Sequence, residues 1–355
     1  MRKPNIGLML TISAALAFTV TGCTTGAPKA VDTGGDSSAL KLGGNSSNAA
    51  LRTAAQNAIN GHTLAFVPLG LGSPLWDEWN RVIGENAKAA GFQYIVKDSA
   101  SSATKQADIV QTLINQFQAK DVLVVHNADV AVTAKLLQQA EQKGIYVISL
   151  NQASNWKGDA FVGGDIVAIG QKMGDDIGKA CSGGSGKVAV LRGVVASGFD
   201  IDLLQGLKES FAKYPKIQIV ADQATQWNRS TGHDVMATIL QQHPDLCASA
   251  EDWDQVSYGT GQAVKEAGLQ GKVKVFATDS SIACKGIAEG LIYQSYSFNP
   301  TQQGVSVVSI ATSLVQSGRP AGSVRTAAYS LITTLNKDTI NQAGACYDGK
   351  GGSGL

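Results

Sequence analysis

The stretch VLVVHNADVAVTAKLLQQAEQKGIYVISLN, residues 122–151, decides the predicted fold. It holds two nearly all-apolar, β-branched runs, at 122–126 and 146–151, on either side of a segment long enough for a helix. Similar runs occur at 63–69, 93–98, 160–163, 187–192, 217–222, 248–252, 273–278 and 292–298. Apolar strands that alternate with helices predict parallel sheets covered on both faces. Two such series along the chain predict an α/β protein with two doubly wound lobes.

Length and charge suit this organisation. At 355 residues the chain exceeds the ~250–300 residues at which single cores stop growing. We assign 62–164 with 299–328 to the N-terminal lobe and 165–298 with 329–348 to the C-terminal lobe, with a hinge between them, and 349–355 to a flexible tail. Lys and Arg number 29 against 28 Asp and Glu, so no strongly basic field is present to hold nucleic acid.

The N-terminus has the pattern of an export signal. Two basic residues precede an apolar run, 6–20, that is too short to span a bilayer as a helix. The run ends in VTGC at 20–23, which resembles a bacterial lipobox, so we expect residues 1–22 to be removed and Cys23 to be lipidated. An ordinary secretory signal with a chance cysteine is the alternative. Either signal sends the mature protein out of the cytoplasm, to the periplasm or the cell surface. The Ser-, Gly- and Asn-rich segment 23–61 predicts a flexible linker behind the lipid anchor.

The residues that follow the predicted strands point to a binding cleft. Ligands bind doubly wound sheets at the carboxyl ends of the strands, so two facing lobes place the site between them. Four of the five tryptophans lie at these strand ends, and the fifth, Trp156, lies shortly after the fourth strand. We expect the ligand-binding residues to be Ser73, Trp76, His126, Asn151 and Gln152 from the first lobe and Phe199, Trp227, Trp253, Asp279 and Phe298 from the second.

Several of these positions carry a family resemblance. The segments SPLW at 73–76, VISLN at 147–151, QWNR at 226–229, DWD at 252–254 and FATD at 276–279 occur in this order. They resemble motifs of the type I periplasmic sugar-binding proteins, the ribose- and galactose-binding group. The resemblance extends from residue 63 to about residue 335. It implies a solute-binding protein that closes its cleft on a ligand and serves an ABC importer, with Asn151 and Asp279 binding hydroxyl groups.

Departures from the family pattern narrow the ligand. Gln152 and Leu203 stand where many members have Arg, and Trp253 and Phe298 stand where Asn or Gln is common. Without a cationic side chain to pair them, carboxylate and phosphate ligands are disfavoured. Two ligand classes remain: a neutral sugar or polyol, and an organic cation held between tryptophans and carboxylates. The family resemblance favours the sugar. A sensor that presents its ligand to a membrane receptor is the alternative to an importer component.

Catalytic and metal-binding motifs are absent from the sequence. No two of the four histidines are spaced i, i+4 as in a zinc-binding H-E-x-x-H motif. The G-x-S-x-G motif of a nucleophile elbow is also absent from the sequence. We therefore expect no enzyme activity, no cofactor and no metal site. The expected partners are a small-molecule ligand, the importer permease and the membrane through the lipid anchor, and we expect a monomer.

Four cysteines remain besides Cys23. An even number in an exported protein favours disulfides. Cys181 and Cys247 each precede a strand of the second lobe, and these two strands are neighbours in a sheet of order 2-1-3-4-5. Of the three possible pairings, this favours Cys181–Cys247 together with Cys284–Cys346. Four reduced cysteines are the alternative.

Overall fold

A computed structural model describes residues 48–352 of the chain. The first half contains α1 Asn48–Ile59, β1 Thr63–Val67, α2 Pro74–Ala90, β2 Gln93–Val96, α3 Ala103–Gln116, β3 Val122–Val125, α4 Ala134–Gln142, β4 Tyr146–Leu150, β5 Ala160–Gly163 and α5 Ile166–Cys181. The second half contains β6 Lys187–Arg192, α6 Gly198–Phe211, β7 Gln218–Ala224, α7 Arg229–Gln242, β8 Ala248–Glu251, α8 Asp254–Glu266, β9 Lys274–Thr278, α9 Ile282–Ala288, β10 Gln294–Ser297, α10 Pro300–Ser317, β11 Thr326–Tyr329 and β12 Thr333–Leu335. The predicted signal peptide, Cys23 and the first part of the predicted linker lie outside the described residues.

The strands form two six-stranded sheets, which confirms the prediction of two doubly wound lobes. The first sheet has the order β11-β5-β4-β3-β1-β2 and the second β12-β10-β9-β8-β6-β7. The described strand pairs are parallel except β10 with β12. In each sheet the first five strands follow the order 2-1-3-4-5. All ten predicted strands are present, with ends that differ by at most two residues.

Burial on both faces explains the apolar runs. All four residues of β3 and all five of β4 are buried. A strand of a parallel sheet that helices cover on both sides has no solvent face, so it lacks the polar–apolar alternation of a half-buried strand. The sequence therefore needs continuous Val, Ile and Leu in these strands.

The chain crosses between the two sheets three times. It leaves the first sheet after β5, returns after β10, and leaves again between β11 and β12. These crossings form the hinge. Since α10 packs against α2 and α5 against α6, each lobe keeps its own helical cover.

Both predicted disulfides are present. Cys181 pairs with Cys247 and Cys284 with Cys346, with Cα atoms 5.9 and 6.1 Å apart. β6 and β8, which follow Cys181 and Cys247, are neighbours as expected. The first bridge fastens α5 to this sheet, and the second fastens the C-terminal segment to α9.

The prediction of a flexible linker is wrong over its last part. Helix α1 occupies residues 48–59, and its Ile59 is 2% exposed. The side-chain amide of Gln316 in α10 donates to the carbonyl oxygen of Ala55 at 3.2 Å. Alanine, leucine, arginine and glutamine favour helix, and packing on α10 supplies the stabilisation that such a short helix lacks by itself.

The prediction of a flexible tail is also wrong for residues 349–352. A carboxylate oxygen of Asp348 accepts hydrogen bonds from the backbone N–H groups of Lys350 and Gly352, at 2.7 and 2.9 Å. The segment is thereby folded into a turn. Within residues 48–352, no helix is long and apolar enough to cross a membrane.

Candidate ligand-binding site between the lobes

A cavity lies between the carboxyl ends of the two sheets. It is lined by Leu69, Leu75, Trp76, His126, Asn151 and Gln152 from the first lobe and by Phe199, Trp227, Asp252, Trp253 and Phe298 from the second. The structure thus brings eight of the ten predicted residues together. Ser73 and Asp279 are not part of the lining, which also includes Leu69, Leu75 and Asp252.

Tryptophans from the two lobes meet across this cavity. The rings of Trp76 and Trp253 are stacked, with centroids 5.9 Å apart and planes 26° from parallel. The cavity beside them measures about 40 Å³, room for roughly three water molecules at ~10–15 Å³ each. A monosaccharide does not fit in that volume, so a solute of this size enters only if the two indoles separate.

Two glycines make room for the indoles. A Cβ atom on Gly70 would lie 2.6 Å from Cζ3 of Trp76, and one on Gly193 would lie 1.8 Å from Nε1 of Trp227. Each glycine follows closely on the end of a strand, β1 or β6. Any other residue there would displace the tryptophan, so these loops are built around the aromatic wall.

Asp252 places a carboxyl group in the wall. One of its oxygens, Oδ2, accepts hydrogen bonds from Nε1 of Trp227 at 2.9 Å and from the backbone N–H of Gly193 at 2.7 Å. Its other oxygen, Oδ1, is buried and has no hydrogen-bond partner among the described residues. Burial, assisted by the nearby charge of Asp200, raises the pKa of Asp252 to about 8. The group is therefore protonated at neutral pH and can donate as well as accept a hydrogen bond.

His126 and Gln152 add an uncharged polar pair. The side-chain nitrogen of Gln152 lies 3.0 Å from Nε2 of His126, an arrangement that places the ring proton on Nδ1. Burial lowers the pKa of His126 to about 3, so the imidazole is neutral. In the described part of the chain, neither Nδ1 of His126 nor Oε1 of Gln152 has a partner. The pair thus offers one free donor and one free acceptor.

Asn151 lies at the end of β4 in a left-handed backbone conformation, with φ of 58°. Asn tolerates this region better than most residues. Its Oδ1 is 3.5 Å from the amide nitrogen of Gln303, at the outer limit of a hydrogen bond. The side chain therefore remains available to a ligand.

Ser73 and Asp279 lie outside the cavity lining. Ser73 is the N-cap residue of α2, although its hydroxyl makes no capping hydrogen bond. Asp279 is fully buried, and its Oδ1 accepts from the hydroxyl of Tyr347 at 2.5 Å and from the N–H of Ser280 at 2.7 Å. Burial, and the neighbouring charge of Asp254, raise the pKa of Asp279 well above its usual range. The resemblance placed Asp279 on ligand hydroxyls, whereas here the residue lies outside the cavity lining and its Oδ1 binds Tyr347.

Asp254, the first residue of α8, has a structural role beside the cleft. Its Oδ2 accepts from the N–H and hydroxyl of Ser281 at 3.0 and 2.8 Å and from the N–H of Ala283 at 3.0 Å. It thus accepts hydrogen bonds from the unpaired backbone N–H groups at the start of α9 rather than at the start of its own helix, α8. This bond fixes the loop after β9 against the loop after β8.

Two α/β lobes with a polar and aromatic cavity between them are the architecture of a two-lobed solute-binding protein. The sequence agrees, because residues 64–320 match the model of the periplasmic binding protein domain family. The chain belongs to this family. Its members are substrate-binding proteins, so the chain is a binding protein rather than an enzyme, and it works outside the cytoplasm.

The individual relatives share about a quarter of their aligned residues with this chain. The D-allose-binding periplasmic protein of Escherichia coli is 25% identical over 282 residues, which cover 76% of this chain and 90% of that protein. The xylitol-binding protein of Mycolicibacterium smegmatis is 26% identical over 266 residues, 72% of each chain. Among solved structures, a carbohydrate transporter solute-binding protein from Agrobacterium radiobacter in complex with D-arabinose has a TM-score of 0.72 at 18% identity, covering 79% of this chain and 96% of that one. This last likeness concerns the fold alone.

Proposed function

We propose that the protein is a solute-binding lipoprotein that takes a small neutral solute, a sugar or polyol, into the interlobe cavity and delivers it to an ABC importer. One observation carries the proposal. Unpaired, buried polar atoms from both lobes surround a cavity whose walls are otherwise largely apolar. A ligand that satisfies these atoms must contact both lobes at once, and it therefore favours the closed cleft.

The mixture of unpaired atoms suits hydroxyl groups. Nδ1 of His126 is a donor, Oε1 of Gln152 is an acceptor, and protonated Asp252 is both. A hydroxyl group also donates and accepts, so a polyhydroxylated solute can match all three residues. Each buried polar group left unpaired costs about 1–3 kcal/mol, which a ligand would recover.

The charge of the cavity disfavours anions. None of the described residues that line it is Lys or Arg. A carboxylate or phosphate would lose its hydration without gaining a cationic partner. The D-allose- and xylitol-binding proteins are named for neutral polyhydroxylated ligands, which supports the same solute class here.

An organic cation is the second candidate, and Asp252 is the observation that favours it. A cation between indole rings is attracted by their faces, and Asp252 would supply a counter-charge once it is ionised. Since its pKa is about 8, cation binding must remove a proton from Asp252 at neutral pH. The affinity for a cation should then rise as the pH increases from 6 towards 8, whereas the affinity for a neutral solute should not.

Delivery and anchoring extend the proposal to the rest of the chain. Lipidation of Cys23 would hold the folded body near the membrane, where the permease of an ABC importer is its partner. Two acyl chains on a diacylglycerol suffice for stable anchoring, whereas one alone is marginal. We propose that the protein acts there as a monomer. Presentation of the ligand to a membrane receptor is the alternative role.

The test is a titration of xylitol, D-allose, D-ribose, myo-inositol and choline, followed by intrinsic tryptophan fluorescence at pH 6 and pH 8. We expect one of the four polyhydroxylated compounds to bind, and Trp227→Ala to weaken its binding by at least about tenfold, or ~1.4 kcal/mol. Trp156→Ala is the matched control, because Trp156 bonds to Glu141 outside the cavity. Tight binding of choline alone, increasing with pH, would refute the neutral-solute assignment. Equal losses for both variants would refute the site.

A further inference from the structure

We propose that the C-terminal segment Cys346–Gly352 is an interlobe strap that stabilises the closed cleft. The segment lies beyond residues 64–320, which match the family. It is joined to the second lobe at one end and rests on the first lobe at the other. The inference depends on the two-lobed structure and not on which solute the cavity binds.

The attachment to the second lobe is covalent and well buried. Cys346 is bonded to Cys284 in α9. The next residue, Tyr347, is 7% exposed, donates its hydroxyl to Asp279 and donates its backbone N–H to the carbonyl oxygen of Ser280 at 3.3 Å. This end of the strap therefore moves with the second lobe.

The contact with the first lobe is made by backbone. Gly349 has a φ of +76°, and a Cβ atom built on it would lie 2.7 Å from the carbonyl oxygen and 2.9 Å from Cα of Pro74. A Cβ on Gly351 would lie 3.6 Å from Cζ of Arg81. Both Pro74 and Arg81 belong to α2 of the first lobe. Only a residue without a side chain can approach Pro74 this closely, so Gly349 is fitted to α2.

The strap therefore lies beside the cleft. Pro74 begins α2, and Trp76, two residues later, forms the cavity wall that stacks on Trp253 of the second lobe. A rotation that opens the cleft moves α2 away from Trp253 and from the strap together, because the disulfide keeps the strap on the second lobe. The contacts of Gly349 and Gly351 with α2 thus exist only in the closed arrangement, and they shift the equilibrium towards it.

Two glycines in the same segment provide a matched pair of substitutions. Gly344 and Gly349 both have a φ of +76°, so alanine introduces the same backbone strain at either position. A Cβ on Gly344 meets nothing within 4 Å, whereas one on Gly349 collides with Pro74. Gly349→Ala should therefore disturb the contact with α2, and Gly344→Ala should not.

The experiment measures the distance between the lobes in protein to which no solute has been added. Spin-labelled noncanonical residues replace Gln116 in α3 and Gln241 in α7, both exposed, so that the cysteines stay paired. Double electron–electron resonance should show one dominant distance in the wild type and in Gly344→Ala. Gly349→Ala should populate a second distance, and raise the ratio of open to closed protein at least about threefold.

A chain that ends at Asp348 provides a second, independent variant. It keeps the disulfide and Tyr347 but lacks the residues that contact α2, so it should populate the same second distance. The inference is overturned if both variants give the distribution of Gly344→Ala, or if the wild type itself is open. The solute titration does not enter this measurement, so the two proposals can fail separately.

Discussion

Replacing Asp252 by asparagine should stabilise the solute-free protein more at pH 7 than at pH 5. The pKa of this carboxyl group is about 8 in the folded protein, against about 3.9 in an unfolded chain. Between these values the folded protein holds a proton that unfolding releases. The contribution of Asp252 to stability is therefore fully present below about pH 4 and is lost as the pH rises towards 8. Asparagine does not titrate, so the variant lacks this loss.

The magnitude follows from the number of pH units. One proton corresponds to about 1.36 kcal/mol per unit, so the wild type should lose about 2.7 kcal/mol between pH 5 and pH 7 through this group. Asparagine keeps a carbonyl oxygen that can accept the hydrogen bonds from Trp227 and Gly193. At roughly 2–4 °C per kcal/mol, the difference in melting temperature between the variant and the wild type should widen by roughly 5–10 °C over this range.

Thermal unfolding at pH 5, 6 and 7, with both disulfides intact, measures this difference. Asp108→Asn, on the exposed face of α3, is the control for the removal of one carboxyl group. Burial raises the pKa of Glu251 to about 7, which gives all three proteins a second slope of the same sign. A constant difference for Asp252→Asn would show that the carboxyl group is ionised in the folded protein and would refute the reasoning.

Three further predictions concern the cavity, the disulfides and the anchor. Gln152→Leu should lower the affinity for the solute found by titration about tenfold, as measured by calorimetry, because it removes the unpaired acceptor and the donor to His126. An unchanged affinity would contradict the site. The double variant Cys181→Ala/Cys247→Ala should lower the melting temperature, since the bridge closes a loop of 66 residues, worth about 4 kcal/mol; no change would contradict a stabilising role. Cys23→Ser should move the protein from the membrane to the soluble fraction without changing solute affinity, and a wild type found wholly soluble would contradict the anchor.

The sequence predicts the strands well because burial on both faces leaves a strong local signal. The strands that it misses, β11 and β12, lack this signal. β11 reads TAAY at the edge of its sheet and is mostly exposed, and β12 has three residues. Helix α1 is missed because its sequence, NAALRTAAQNAI, has few large apolar residues, so its stability depends on α10. Elements stabilised by distant contacts leave little trace in their own sequence.

The residues of the site also divide into those that the local sequence predicts and those that depend on distant contacts. Eight of the ten selected residues line the cavity because topology alone brings strand ends together. Asp252 satisfies the same rule, since it directly follows β8. The position of Asp279 could not have been found locally, because it depends on Tyr347, 68 residues further along the chain. That tyrosine is placed by a disulfide and a turn near the C-terminus, where no motif was recognised.

Among the described residues that line the cavity there is no Lys or Arg, and this affects both the stability of the empty closed cleft and the affinity for a solute. The nearby Arg192 pairs with Asp200, and buried Asp252 stays protonated, so the closed cleft holds no unpaired charge there. The indoles of Trp76 and Trp253 can then stack directly, which removes apolar surface from water even without a solute. A solute must separate these rings as it enters. Its affinity therefore depends on the difference between two free energies: the one it gains by contacting the polar atoms of both lobes, and the one lost when the stacked indoles separate. Any residue that stabilises the empty closed state lowers the apparent affinity for the solute.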